Sequence, residues 1–320
     1  MTEEGSPVPA VRLDGLRRSF GSVVAVDGID LEVRQGEIYG FLGPNGAGKS
    51  TVVRMLTTLL APTGGRAFVD GLDVVAEPDR VRLRIGVALQ EAGLDANMTG
   101  REILRTQGRL FGLPRGQIDD RIEQLSPILD MAAIDRLVGT YSGGMARRLD
   151  LATALVHNPS VLFLDEPTTG LDPPGRMRVW EEIRRLNREI GLTLFLTTQY
   201  LEEADELADR VGIIDGGRVV AEGTPAELKR SVGNDVVSAI VEGDPSVATH
   251  ALASVAGVGA VDVFGEEIRV ASQDGARALS PIALALDAAG VTVRELSLRT
   301  PTLDDVFLDV TGTHLEGGST

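Results

Sequence analysis

The sequence predicts an α/β fold: a mainly parallel sheet covered on both faces, with an inserted helical subdomain, followed by a small α+β domain. Three observations carry this. Between residues 37 and 215, short apolar runs alternate with stretches of helical periodicity, as in parallel strands joined by crossover helices. One such run, Glu37–Leu42, leads straight into a glycine-rich loop and then a helix. From Gly233 onward the order is strand, helix, strand, strand, helix, strand, which predicts the split ferredoxin-like arrangement.

In chain order, Val11–Leu13 and Ile29–Val33 read as strands flanking a turn at Gly21. A helix follows the glycine-rich loop over Ser50–Leu60, and Ile85–Leu89 is a further strand. Residues 94–140 change character. Ile103, Leu104, Leu110, Ile118, Ile122, Leu125, Ile128 and Leu129 recur at helical spacings, the mark of the inserted subdomain. Helices are expected at Gly144–His157, near Arg176–Ile190 and at Leu201–Asp209, with strands at Val161–Asp165, Thr193–Thr197, Val211–Asp215 and Val219–Ala221. In the second domain, strands at 235–242, 259–263, 267–271 and 291–297 frame helices at 245–255 and 276–289. The expected domains are a nucleotide-binding unit over 10–225, with 94–140 as its helical subdomain, and an accessory α+β domain over 233–312. Residues 1–9 and 313–320 read as disordered tails.

The absence of cysteine excludes disulfides and thiolate metal sites and fits a reducing compartment. The acidic, proline-bearing start lacks the basic end and apolar run of a secretory signal. No stretch approaches the roughly 18 apolar residues of a membrane span, so a soluble chain is expected and any membrane role needs a partner. A net charge of −16 argues against nucleic acid as a ligand. From Gly233 the chain holds 13 acids and 4 arginines, a net −9, so the second domain carries over half of that charge. Of 31 cations only Lys49 and Lys229 are lysines, and Lys49 lies within the glycine-rich loop.

That loop, Gly43-Pro44-Asn45-Gly46-Ala47-Gly48-Lys49-Ser50-Thr51, fits G-x-x-x-x-G-K-[ST] between a strand and a helix. Glycines let the backbone wrap phosphates with its N–H groups turned inward, and the helix N-terminus adds a favourable dipole. Lys49 is the expected contact to the β- and γ-phosphates, and the Ser50 hydroxyl the expected Mg²⁺ ligand. Val161–Leu164 is an apolar strand ending in two carboxylates. Asp165 suits Mg²⁺, and Glu166 is placed to deprotonate an attacking water. At Ser142-Gly143-Gly144, ahead of a helix, two readings stand: an N-cap with a simple turn, or a second anion cradle.

The order of phosphate loop, Gln90, Tyr141-Ser142-Gly143-Gly144, Leu164-Asp165-Glu166-Pro167 and Gly170-Leu171-Asp172 resembles the ATP-binding cassette family over about residues 10–225. The resemblance implies a P-loop NTPase core, ATP and Mg²⁺ as cofactors, and a head-to-tail homodimer in the ATP-bound state. Each ATP would lie between the phosphate loop of one subunit and Ser142, Gly143 and Gly144 of the other. It implies that Phe20 stacks on adenine and that Gln90 senses Mg²⁺ and the γ-phosphate. Asp172 would lie in the loop that communicates across the dimer. Where the family usually has histidine against the γ-phosphate, this chain has Gln199, which can donate an N–H but cannot carry a proton charge near neutral pH.

Thr197-Thr198-Gln199-Tyr200-Leu201-Glu202-Glu203-Ala204-Asp205, Tyr141–Met145 and Pro301–Leu308 narrow the resemblance to the daunorubicin/doxorubicin resistance group of exporter ATPases. That implies a peripheral protein on the cytoplasmic face of the membrane, powering a separate integral-membrane permease that exports drugs or antibiotics. In the closing motif, Leu303, Val306, Phe307 and Leu308 are expected on one packed helix face, with Asp304 and Asp305 outward. The rival readings are a nucleotide-switched regulatory module, prompted by Gln199, and a soluble cassette ATPase that drives no transport.

Overall fold

The computed structural model describes residues 8–89, 93–242, 245–253, 255 and 257–312. The segments read as tails, apart from Val8 and Pro9, lie outside these residues, as does Gln90. The chain divides into two compact units between Pro225 and Ala226.

The first unit opens with a long hairpin, β1 (Val11–Phe20) and β2 (Val23–Val33), turning at Gly21. These strands are longer than the sequence pattern predicts. Their pairing shifts register at Leu13/Leu16, Leu16/Arg17 and Arg18/Ser19, so the alternation breaks inside strands that in fact continue. Then come β3 (Ile38–Leu42), α1 (Lys49–Leu56), β4 (Gly64–Val69), the two-residue β5 (Leu72–Asp73), α2 (Pro78–Arg82) and β6 (Ile85–Ala88). The helical subdomain contributes α3 (Gly100–Leu110) and α4 (Arg115–Gln124). After it run α5 (Gly143–Leu155), β7 (Val161–Asp165), α6 (Pro173–Ile190), β8 (Thr193–Thr198), α7 (Leu201–Leu207), β9 (Arg210–Asp215) and β10 (Arg218–Gly223).

The six-stranded sheet has the order β10-β9-β3-β8-β7-β6, with only β10 antiparallel. Its central strands β3, β7 and β8 are buried throughout because both faces are covered. Val161 and Phe163 join one core with Val52, Val53, Met55 and Leu56 of α1 and with the hairpin. Leu162 and Leu164 join a second core with α5, α6 and the helical subdomain. On the first face Phe195 stacks on Tyr39 and packs at a tilt against Phe41 and Phe163, with ring centres 5.5–5.7 Å apart. A separate antiparallel sheet, β2-β1-β4-β5, is an element the expected architecture lacks.

In the subdomain, Ile103, Leu104, Ile118, Ile122, Leu125 and Ile128 are buried. Leu110 is not: it is 78% exposed. The packed line along α3 runs through Leu104 and Gly108, where an added Cβ would sit 2.7 Å from Ile118 Cγ1, and on to Phe111. Leu110 falls beside that line.

The second unit begins with most of α8 (Pro225–Val232), then β11 (Asp235–Glu242), α9 (Pro245–Leu252), β12 (Val258–Phe264), β13 (Glu267–Ser272), α10 (Gly275–Ala288), β14 (Thr292–Arg299) and α11 (Leu303–Thr311). Its antiparallel sheet has the order β12-β13-β11-β14, the split ferredoxin-like topology. Val237, Ala239, Ile268 and Val270 pack with α9 and α10. In α11, Leu303, Val306 and Phe307 are buried, but Leu308 is 36% exposed because it lies off the i, i+3, i+4 stripe. Asp305 is tied back to Thr302 as a capping box rather than turned outward.

Candidate nucleotide site

At the C-terminal end of β3 the chain must turn through six residues and start α1, and sterics dictate the glycines. A Cβ on Gly43 would fall 2.3 Å from the Ile214 carbonyl oxygen. Gly48 has φ 108°, and a Cβ there would sit 2.4 Å from the Ala25 carbonyl oxygen of β2. Gly43 N–H donates to the Thr198 carbonyl at 3.2 Å, stitching the loop to the end of β8.

Lys49 lies beneath this loop, 4% exposed. Its ammonium donates to the carbonyls of Gly43 (2.7 Å) and Pro44 (3.1 Å) and lies 3.7 Å from Glu166 Oε1. Burial pulls its pKa below the ordinary value, opposed by the carboxylates of Glu166 and Asp165. Ser50 Oγ donates to Asp165 Oδ1 at 3.2 Å across 115 residues of sequence. The same oxygen accepts from Thr197 Oγ1 at 2.5 Å, and β7 and β8 pair Asp165 directly with Thr197. Two hard oxygen donors side by side next to a phosphate loop fit Mg²⁺, which typically takes one or two protein oxygens together with substrate phosphates. No cluster of three or more His, Cys, Asp or Glu able to hold a metal occurs among the described residues.

Glu166 is held with φ 48°, in the left-handed region that a non-glycine residue rarely occupies. Its N–H donates to Thr197, to both Oγ1 and the carbonyl, at 3.1 Å, and its Oε2 accepts from Thr169 Oγ1 at 3.1 Å. The carboxylate lies beside the lysine of the phosphate loop, its Oε1 3.7 Å from Lys49 Nζ. Thr197 and Thr169 are residues the sequence pattern did not single out; the only signal is their adjacency to Gln199 and Glu166. Gln199 follows β8, whose end lies between those of β3 and β7.

The other expected residues lie around this centre. Phe20, at the hairpin tip, is 47% exposed, with the Arg18 guanidinium 4.5 Å above its ring. Ser142 is the N-cap of α5, accepting from Met145 N–H at 3.3 Å, and it is exposed. An added Cβ at Gly144 would meet nothing within 4 Å, so the capped terminus is also open to an anion. Asp172 caps α6 by accepting from Gly175 N–H at 3.2 Å. A cleft of about 220 Å³ lies between Gly143, Arg147, Glu166 and Gly170-Leu171. Lys49, Ser50, Asp165 and Glu166 are therefore contiguous, and Gly143 lines the same cleft as Glu166.

Known proteins resemble this chain in sequence and in fold. Residues 26–169 match the ABC transporter family, and residues 223–311 match the C-terminal domain of DrrA1-3-like ATP-binding proteins. The daunorubicin resistance ATP-binding protein DrrA3 of Streptomyces coeruleorubidus is 48% identical over 95% of this chain and 96% of its own length. The chain belongs to the ATP-binding proteins of ABC transporters. Its cassette therefore comes from a family that binds and hydrolyses ATP. The Nod factor export ATP-binding protein I of Sinorhizobium fredii is 42% identical over 96% of this chain and 87% of its own. Among solved structures, cbiO1 from Clostridium perfringens, part of the ABC transporter complex cbiONQ, superposes with TM-score 0.64 at 26% identity, over 70% of this chain and 94% of that one. No helix among the described residues is long and apolar enough to cross a membrane.

Proposed function

We propose that this chain hydrolyses Mg·ATP to drive a separate membrane permease in the export of drugs or antibiotics. The observation that carries the hydrolytic part is the meeting of Ser50 with Asp165 and of Lys49 with Glu166 at the ends of β3 and β7. Mg²⁺, held by Ser50 and Asp165 with Gln90 as a further ligand, would neutralise charge on the phosphates. Lys49 turns from the loop carbonyls and Glu166 toward the β- and γ-phosphates. Glu166, released from that cation, accepts the proton of the attacking water. Gln199 donates its amide N–H to a γ-phosphate oxygen, and Phe20 stacks on the base. Backbone N–H groups of residues 45–51 surround the phosphates.

The exposed Ser142, Gly143 and Gly144 serve the ATP bound by a second copy, and Asp172 contacts that copy. Two chains close on two nucleotides and reopen after hydrolysis, moving a permease at the cytoplasmic face of the membrane. The names of the two relatives, one of daunorubicin resistance and one of Nod factor export, support export over import and leave the cargo to measurement. The test is ATP turnover by the chain complexed with its permease, with and without daunorubicin, using Glu166→Gln as the blank. Stimulation that vanishes in the blank supports the whole reading. Turnover without stimulation removes daunorubicin as cargo, and turnover in the blank removes Glu166 as base.

A further inference from the structure

Glu203 lies in α7, four residues after Gln199, and is 0% exposed. Burying a carboxylate costs several kcal/mol unless the interior supplies partners (roughly, for a charge without compensation). Here the partners are specific. Its Oε1 accepts from Thr168 Oγ1 at 2.8 Å and from Trp180 Nε1 at 2.9 Å. Thr168 is itself buried and stands two residues after Glu166 and four before Asp172. Trp180 belongs to α6, the helix that Asp172 caps. One buried oxygen therefore ties together the segment carrying Gln199, the segment carrying Glu166, and the helix set by Asp172.

The surroundings argue against packing as the reason for this side chain. Among the described residues Glu203 Oε2 has no hydrogen-bond partner within normal geometry, a cost that an apolar residue of similar volume would avoid. Burial pushes the carboxyl above its ordinary range, opposed by the hydroxyls of Thr198 and Thr168, the Trp180 indole and the charge of Arg147. Arg147 is also buried and donates from Nη1 to Asp150 and to the carbonyl of Leu89, the residue before Gln90. Nothing in the roles described so far uses Glu203.

We propose that Glu203 is a positioning residue for hydrolysis: through Thr168 and Trp180 it fixes the Glu166–Asp172 segment against the turn that carries Gln199. The carboxylate of Glu166 and the amide of Gln199 then face the same γ-phosphate. The proposal rests on the reading of Glu166 as the base. Displacements on the order of 1 Å in such a centre cost about 100-fold in rate.

The experiment uses the full chain and measures ATP affinity, kcat and the emission of Trp180, the sole tryptophan. Glu203→Ala lowers kcat about 10- to 100-fold. ATP affinity stays within about twofold, since the phosphate loop is untouched, and the emission of Trp180 shifts as its indole loses its acceptor. Thr168→Val moves kcat in the same direction, Thr168→Ser restores it, and the double variant Glu203→Ala/Thr168→Val is no slower than Glu203→Ala. Glu203→Gln, which keeps an acceptor for both donors, stays near wild type. Wild-type kcat in both Glu203→Ala and Thr168→Val overturns the proposal. So does a parallel loss of affinity, kcat and melting temperature in Glu203→Ala with Thr168→Val unaffected. If Glu166→Gln retains turnover in the same series, it is the assignment of the base that fails.

Discussion

Replacing Gly48 with alanine combines two costs that the structure separates. Its backbone, at φ 108°, lies where an L side chain is strained by about 1–2 kcal/mol. The new methyl would sit 2.4 Å from the Ala25 carbonyl oxygen, roughly 1 Å inside an ordinary contact, so β2 and α1 must separate. Forcing an extra methyl into a packed site adds about 1–3 kcal/mol. Together Gly48→Ala loses about 3 kcal/mol, or on the order of 10 °C in melting temperature for a unit of this size. Gly46 provides the control: its φ of 82° is also positive, but nothing lies within 4 Å of its added Cβ. Gly46→Ala carries the strain alone, about 1 kcal/mol. Thermal unfolding and nucleotide titration of both variants test this. Gly48→Ala also displaces the N–H groups of the loop and weakens ATP binding about 100-fold. Equal melting temperatures for the two variants, with nucleotide binding intact in Gly48→Ala, would refute the steric reasoning.

Further outcomes follow from the same geometry. Asp150, buried beside Arg147, has its carboxyl pushed up to about 6, burial outweighing the guanidinium. Its folded form thus holds a proton that the unfolded form releases near pH 4, so its contribution is most favourable below that and is lost as pH rises through about 6. That loss is about 3 kcal/mol, so urea midpoints should fall between pH 4.5 and 7.5 more steeply in wild type than in Asp150→Asn; parallel curves count against it. Gln199→Ala should slow turnover about 100-fold, the usual effect of removing one donor to a reacting oxyanion, and Gln199→His should recover it; an unchanged rate removes Gln199 from the site. Ser142→Arg should lower melting by only a few degrees, the cost of about 1 kcal/mol for the lost N-cap of α5, and leave nucleotide affinity near wild type, but abolish ATP-dependent dimers on size exclusion in a Glu166→Gln background. Dimers that persist contradict the sandwich.

The centre of the site is legible in the sequence because its parts sit at strand ends: an apolar run followed by Gly-x-x-x-x-Gly-Lys-Ser seldom serves any purpose but phosphate binding, and the Asp-Glu pair, ambiguous alone, gains its meaning from following that loop. Residues 161–165 are a strand as expected, and from Asp235 the second unit follows its anticipated order of strands and helices, whereas α8 ahead of it is not anticipated. The features that are not legible are set by pairing between distant segments. Thr197 is bonded to Asp165 because β7 and β8 run in register, and no local pattern encodes that register. The hairpin strands read short because bulges break their alternation, and the second sheet they form has no local signature. Leu110 obeys a helical period yet is exposed, because which part of an amphipathic stripe is covered depends on what packs over it. Glu203 is one more acid on a helix until the fold brings Thr168 and Trp180 to it.

The burial of Lys49 bears on covalent labelling. The chain has two lysine side chains, and one of them is 4% exposed beneath the phosphate loop, while Lys229 in α8 is partly open. A reductive methylation reagent should therefore modify Lys229 more readily than Lys49, which it reaches only when the loop opens. After proteolysis, the mass of the single peptide containing residue 49 would report how often that happens. The extent to which nucleotide suppresses it would report the fraction of loops that are occupied, with no fluorophore or engineered tag.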